Sequence, residues 1–335
     1  MVKSLISAQS PSVVRAFVAL WLFALRQNLR VRMVAIVAFC LLGLTAAVVA
    51  AVTYGPQGWR LENRIRRVMD PKDKDNEKPL AMTYQQYCKE RLPLLEYGLP
   101  SGPDAFGIKV AVFESFKLLV NEQMVLDDFA LQNFDRWVVL SLYLGFLLPL
   151  FALAYASNAL GGEREERTML WLLTRPLPRW AIYLAKWLGV MPWCVGVTLL
   201  GFGLVCLAGG DLGRKSFAIF WPAVAGGSFA FGCVFHLFGA VFRRPTILGL
   251  VYVFFYETLF GNLPGGLKQF SLGYYVRSLF YNDLGSALKL LKPEGIDVYA
   301  PTDSASAWIA LAVISIAVTA LGAWLFGRLE PKDET

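Results

Sequence analysis

Long uncharged runs of apolar residues constrain this chain more than any other feature of its sequence. Five such runs contain no Asp, Glu, Lys or Arg and lie at residues 33–54, 137–160, 187–210, 216–242 and 307–326. A helix needs about 20 mainly apolar residues to cross the hydrocarbon core of a bilayer. Hydrophobic residues make up 56% of the 335 residues. The sequence therefore predicts an all-α integral membrane protein.

A sixth apolar run, at residues 245–261, is weaker than the other five. Glu257 interrupts it, and Leu263-Pro264-Gly265-Gly266 ends it. We count this run as spanning, which gives six transmembrane helices.

Basic residues next to the apolar runs predict the orientation of the chain. The lysines and arginines that flank the runs on one side include Arg26, Arg30, Arg32, Arg175, Arg179, Lys186, Arg243, Arg244 and Arg328. Cytoplasmic loops of membrane proteins carry an excess of Lys and Arg. We therefore expect a multi-pass protein of the cell (inner) membrane with both termini in the cytoplasm.

The remaining segments complete the predicted domain organisation. Residues 1–32 would form a cytoplasmic or interfacial N-terminal helix, because polar residues flank an apolar centre. Residues 55–136 form the one long polar segment, which we predict to be a small, mainly helical external domain. Transmembrane helices two to six would occupy 137–327, with a cytoplasmic loop at 161–180 and an external segment at 262–306. Residues 328–335 would be a cytoplasmic tail.

The loop after the second run has the pattern of a short amphipathic helix. Glu163, Glu165 and Glu166 fill its first turn, where they oppose the positive end of the helix dipole. Arg175 and Arg179 follow its end, together with two prolines. A helix that rests on lipid normally has a polar face rich in Lys and Arg. This nearly neutral face favours a protein partner over an anionic membrane.

This loop resembles that of the type-2 permeases of ATP-binding cassette transporters, which commonly reads Glu-x-Glu-x-Gly-Thr-Leu, then Leu-Leu, Pro, Arg and Lys. The matching residues are Glu163, Glu165, Thr168, Leu172, Leu173, Pro176, Arg179 and Lys186. The chain departs from the pattern at Arg167, where the family prefers glycine, and at Met169, where it prefers leucine. A later stretch, from Tyr256 to Gly265, also looks like some permeases of this family.

The resemblance implies a permease that exports a substrate and pairs with a second copy or a sister permease. A separate cytoplasmic ATPase would bind ATP and Mg, and this chain would bind no cofactor itself. The loop would be the coupling helix that contacts the ATPase, through Glu163, Arg164, Glu165, Glu166, Arg167, Thr168, Trp171 and Leu172. The chain lacks a phosphate loop, since Arg214 stands where residues 209–216 would need the second glycine. Nothing in the charge pattern points to nucleic acid.

Two ionisable residues inside the predicted spans are candidates for function. Glu257 is either an intramembrane functional group or a structural ion pair or helix cap, with Arg277 as a candidate ionic partner. His236 is the single histidine, and its span offers no series of titratable groups for a proton relay, so we expect a packed side chain. Two other functions stay open at this point. The chain would then be a membrane scaffold that holds partners through its external domain, or an ion-coupled carrier.

Overall fold

The computed structural model describes residues 13–27, 33–55, 59, 130–165, 177–257, 265–288 and 299–328. Most of the predicted external domain, the middle of the predicted coupling loop and the C-terminal tail lie outside these residues. The described residues are helical or irregular and contain no strand. This agrees with the predicted all-α class.

The helices are numbered here in chain order. They are α1 (Val13–Gln27), α2 (Met33–Thr53), α3 (Asp135–Leu147), α4 (Leu148–Ala156), α5 (Asn158–Glu165), α6 (Arg179–Ala208), α7 (Gly210–Val241), α8 (Pro245–Val251), α9 (Tyr252–Glu257), α10 (Gly265–Phe270), α11 (Leu272–Ala287) and α12 (Ser304–Arg328). Helices α3 and α9 are π-helical, and α10 is a 3-10 helix. Residues 130–134 extend α3 at its start, so that α3 to α5 form one nearly continuous rod.

Among the described residues, five helical segments are long and apolar enough to cross a membrane. They are Ile36–Thr53, Ala130–Glu163, Arg179–Ala208, Gly210–Val241 and Ser304–Arg328. Each overlaps one of the five uncharged runs, because a run of about 20 apolar residues is long enough to form a helix that crosses a membrane. The chain is therefore a multi-pass membrane protein.

The sixth predicted span differs from the other five. Its described part, Pro245–Glu257, has 13 residues and rises only about 20 Å, which is less than the thickness of the hydrocarbon core. The rest of the predicted run lies outside the described residues. The six-span count therefore stays a prediction.

Helix α7 is the centre of the bundle and packs against α4, α6, α11 and α12. Glycines allow these close approaches. A side chain at Gly226 would collide with Trp308 of α12, and Val276 of α11 lies beside Gly227. The missing side chains at Gly226 and Gly227 thus let α11 and α12 pack close to α7. Gly196 of α6, by contrast, has no neighbouring atom within 4 Å among the described residues.

Contacts between helices define two sides of the bundle. We call the side with Glu163 and the start of α6 the loop side, and the opposite side the far side. Thr53 at the end of α2 lies beside Gly210, so both are on the far side. Near the end of α12, Gly322 contacts Tyr183 at the start of α6, so α12 ends on the loop side.

Large apolar side chains cover the outer faces of α2 and α12. Val48, Ile309 and Ile316 are each more than half exposed. In a multi-pass protein such faces are solvated by lipid or covered by another membrane helix.

Candidate functional site

The predicted coupling loop is only partly within the described residues. Glu163, Arg164 and Glu165 belong to the last turn of α5, so the prediction that glutamates fill the first turn of a separate loop helix is wrong for Glu163 and Glu165. The side chains of Arg164 and Glu165 are not described. Glu166, Arg167, Thr168, Trp171 and Leu172 lie outside the described residues altogether. Contact between these residues and an ATPase therefore stays a prediction.

Glu163 is the member of the predicted contact set whose side chain the structure describes. Its carboxylate accepts a hydrogen bond from the Lys186 ammonium group on α6 and forms an ion pair with it. The side chains of Lys186 and Glu163 are only 1% and 5% exposed. Burial of either charge alone would be costly, so each neutralises the other. This pair joins the two helices from which the loop leaves the bundle.

Lys186 also lies next to the N-terminal helix. Its ammonium nitrogen is 5.4 Å from the centre of the Phe23 ring of α1, within the range of a cation–π interaction. One turn further along α6, Gly189 packs directly against Ala24. Trp193 then donates a hydrogen bond of 3.0 Å from Nε1 to the carbonyl oxygen of Leu25. Helix α1 is thus attached along one face of α6; its predicted position in the headgroup plane stays a prediction.

His236 is packed beside this region, as the sequence predicts. It is completely buried, and its ring lies 4.6 Å from the ring of Tyr183. Tyr183 in turn contacts Phe326 of α12, with ring centres 6.0 Å apart. These contacts are those of a close-packed aromatic core.

Glu257 lies at the end of α9 and accepts four hydrogen bonds. Oε1 accepts from the Tyr252 hydroxyl at 2.5 Å and from the Leu272 amide at 3.2 Å. Oε2 accepts from the Ser271 hydroxyl and from the Gly273 amide at 2.9 Å. The carboxylate therefore caps the N-terminus of α11, where free amide groups and the helix dipole favour an anion.

The predicted ion pair between Glu257 and Arg277 is wrong, since the described residues show no such pair. The Arg277 guanidinium lies instead beside Gly145 of α3. Glu257 and Arg277 are separated because Glu257 meets the first turn of α11, whereas Arg277 lies further along that helix and faces α3. A functional role for Glu257 beyond the cap stays a prediction.

Asp135 is a buried carboxylate of a candidate span that the sequence pattern did not reveal. The predicted second span starts at Trp137, but the helix begins earlier and the candidate span starts at Ala130. Asp135 is completely buried and accepts a hydrogen bond from the Ser216 hydroxyl of α7. A candidate span therefore contains a buried carboxylate that lies outside the uncharged run from which the span was predicted. The apolar residues Ala130, Leu131 and Phe134 precede Asp135, and they were the sequence signal that the second span starts before Trp137.

Aromatic residues and a lysine join α10, α11 and the segment before α12 on the far side. The Lys268 ammonium group donates to the carbonyl oxygen of Tyr299 and lies 5.3 Å from the centre of the Tyr274 ring. The Tyr274 hydroxyl donates to Ala300 at 3.1 Å. Burial raises the pKa of the Tyr299 phenol, so this side chain is a neutral donor to the carbonyl oxygen of Tyr274. These contacts hold the chain that leads into the last span.

Within the described part of the chain, no group of three or more His, Cys, Asp or Glu side chains has the arrangement of a metal site. Among the described residues, Glu163 and Lys186 pair with each other, Glu257 bonds to a helix end, and Asp135 bonds to the Ser216 hydroxyl. The arrangement is suited to holding helices in fixed positions.

Comparisons with known proteins place these features in a family. Residues 23–330 match a family described as ABC-2 family transporter protein. The chain is 32% identical over 152 residues to the probable ABC transporter permease protein NosY of Stutzerimonas stutzeri, over 45% of this chain and 50% of that protein. It is 48% identical over 63 residues to the protein of the same name from Pseudomonas aeruginosa, over 19% of this chain and 23% of the relative. The matched segments thus cover half or less of either relative.

Proposed function

This chain belongs to the ABC-2 family of transporter proteins, and on that premise we propose that it exports a substrate using ATP hydrolysed by a separate cytoplasmic ATPase. It is the permease subunit of the transporter. The observation that carries the proposal is the family match along residues 23–330, which includes all five candidate spans.

The loop between α5 and α6 is the proposed contact with the ATPase. Its charged residues and the apolar residues that follow them, from Arg164 to Leu172, offer ionic contacts and a hydrophobic anchor. The loop leaves the bundle on the side where Arg179, Arg243, Arg244 and Arg328 lie, which the positive-inside rule assigns to the cytoplasm. Both termini lie on that side in the proposed arrangement of six spans in the inner membrane.

A second permease copy or a sister permease completes the proposed transporter. Exposed apolar side chains on the outer faces of α2 and α12 support a chain surrounded by lipid and by other membrane helices. ATP and Mg belong to the partner ATPase in this arrangement.

Charge reversal in the loop tests the proposal. Glu165→Arg should abolish co-purification of the ATP-binding cassette ATPase with the full-length chain, because it reverses the charge at the start of the proposed contact segment. Asp211→Arg is the matched control, since Asp211 is an exposed carboxylate in the first turn of α7 on the far side. Equal ATPase capture by wild type and the Glu165→Arg variant would overturn the proposed contact.

Reconstitution separates export from the scaffold alternative. A transporter in proteoliposomes should raise its ATP turnover when substrate is added, whereas a scaffold has no reason to couple the two. ATP turnover that does not respond to any candidate substrate would favour the scaffold. An ion-coupled carrier would respond to a proton gradient without the ATPase.

A further inference from the structure

We propose that Glu163 and Lys186 are positioning residues: their buried ion pair fixes the base of the loop to α6 and, through Lys186, to α1. This inference deepens the proposed function. The role of the ion pair in coupling to the ATPase rests on that function. Glu163 would then act from inside the bundle, not as a surface contact with the ATPase. Movement imposed on the loop would reach α6 and α1 through this pair.

The location of the pair is the first argument. Glu163 lies in the last turn of α5, and Lys186 lies two turns into α6. The pair therefore bridges the two ends of the loop, at a sequence separation of 23 residues. A link at this position limits the angle at which the loop leaves the bundle.

Burial is the second argument. With 1% and 5% of their side-chain surface exposed, these charges have little surface to offer a partner. A buried ion pair often contributes less stability than apolar residues of similar size would, and its best-attested use is to fix one arrangement. An Asp211–Arg214 pair on the far side shows the opposite case, with side chains 92% and 74% exposed.

The attachment of α1 is the third argument. Lys186, Gly189 and Trp193 lie three and four residues apart and so share one face of α6. They contact Phe23, Ala24 and Leu25 in that order. Helix α1 packs chiefly on α6, so the residue that anchors the loop also anchors the N-terminal helix.

The test compares variants of the full-length chain in lipid nanodiscs. Glu163→Gln and Lys186→Met each break the pair, and Glu163→Lys combined with Lys186→Glu restores it with the charges exchanged. A variant that carries both Glu163→Gln and Lys186→Met removes the attraction without leaving one buried charge unpaired. Asp211→Asn, which breaks the exposed pair, is the control.

The first measurement is hydrogen exchange of the chain without ATPase. The variants that break the pair should speed amide exchange in α1, α5 and the first two turns of α6 by about fivefold or more, because local opening becomes easier. The exchanged pair should recover most of the protection, and the control should match wild type. Unchanged exchange in α1 would overturn the link between the pair and α1.

The second measurement adds the ATPase. The permease should stimulate ATP turnover less in the variants that break the pair than in wild type, by about fivefold or more, which is the lower end of coupling between two sites. The affinity of these variants for the ATPase should stay within about twofold of the wild-type value. An equal loss of affinity would instead make Glu163 a direct contact and overturn the proposal, as would full stimulation in both single variants. If wild type itself binds no ATPase, the proposed function fails, and the exchange measurement still decides the structural link.

Discussion

Glu257 illustrates how a buried charge is accommodated. Two amide groups of the first turn of α11 and two hydroxyl groups donate to its carboxylate. Ser271 adds a second cap, because its hydroxyl oxygen accepts a hydrogen bond of 3.2 Å from the Tyr274 amide. From the sequence alone, Glu257 is either a helix cap or a functional group. The hydrogen bonds in the structure are those of a helix cap.

Replacement of Glu257 by glutamine should destabilise the protein by about 1–3 kcal/mol. The NH2 group of the glutamine cannot accept a hydrogen bond, so one backbone amide of α11 would lose its acceptor. A buried donor without an acceptor lowers stability by about 1–3 kcal/mol. Thermal unfolding of the purified protein measures the effect. Hydrogen exchange should rise in the first turn of α11.

Asp303→Asn is the control for this prediction, because Asp303 caps α12 at an exposed position, where its Oδ2 accepts from the Ala305 amide at 3.1 Å. Asparagine caps helices as well as aspartate does. A Glu257→Gln variant with wild-type stability but impaired transport would show that Glu257 is a functional group and not a cap.

Helix α7 depends on the absence of side chains where it crosses its neighbours. At Gly239 a Cβ atom would lie 2.6 Å from the carbonyl oxygen of Ser157, at the junction of α4 and α5. The obstacle is backbone, which has little freedom to move aside. Helix α7 and the rod formed by α3 to α5 are therefore fixed against each other at this level.

The Gly239→Ala variant should lose about 1–3 kcal/mol of stability, because an added methyl group in a packed interior forces backbone shifts. Gly196→Ala is a matched control in α6, where the described residues leave the space around the added Cβ atom open. Alanine there should be neutral or stabilising by up to about 1 kcal/mol, since alanine favours helix more than glycine does. Equal unfolding temperatures for the two variants would contradict the expected order.

The whole bundle requires the chain to change sides between α7 and α12. Helix α7 ends on the loop side, where Pro245 contacts Gly161. Near the start of α12, Trp308 reaches Gly226 of α7, and at its other end Gly322 reaches Tyr183. Helices α8 and α9 therefore lead away from the loop side, and α11 continues toward the start of α12. We propose that this segment supplies the sixth crossing.

Cysteine labelling in intact cells tests this crossing. In a chain without its native cysteines, Arg244→Cys and Arg328→Cys should resist a membrane-impermeant thiol reagent, and Asp303→Cys should react. All three positions are exposed in the structure, so burial does not explain a lack of reaction. Opposite labelling of positions 244 and 328 would indicate five crossings and overturn the six-span arrangement.

The sequence by itself determined the five long spans. Hydrophobic length is a property of consecutive residues, so residues 33–54 predicted α2 almost to the residue, and the cost of unsatisfied backbone in lipid dictated helices. Span boundaries were less certain, as Asp135 demonstrates. Asp135 and Arg136 end the uncharged run in the sequence but not the helix, because Arg136 is exposed and Ser216 of another helix donates a hydrogen bond to Asp135.

Only the tertiary structure decided which distant residues meet. Glu163 and Lys186 are 23 residues apart, and their pairing follows from the packing of α5 on α6. In the same way, Ser271, Leu272 and Gly273 donate hydrogen bonds to Glu257 because α11 returns into the bundle. The length of an apolar run predicts a membrane-crossing helix, whereas helix packing decides which polar groups become partners. For that reason the sequence predicted the spans but not the partners of the buried charges.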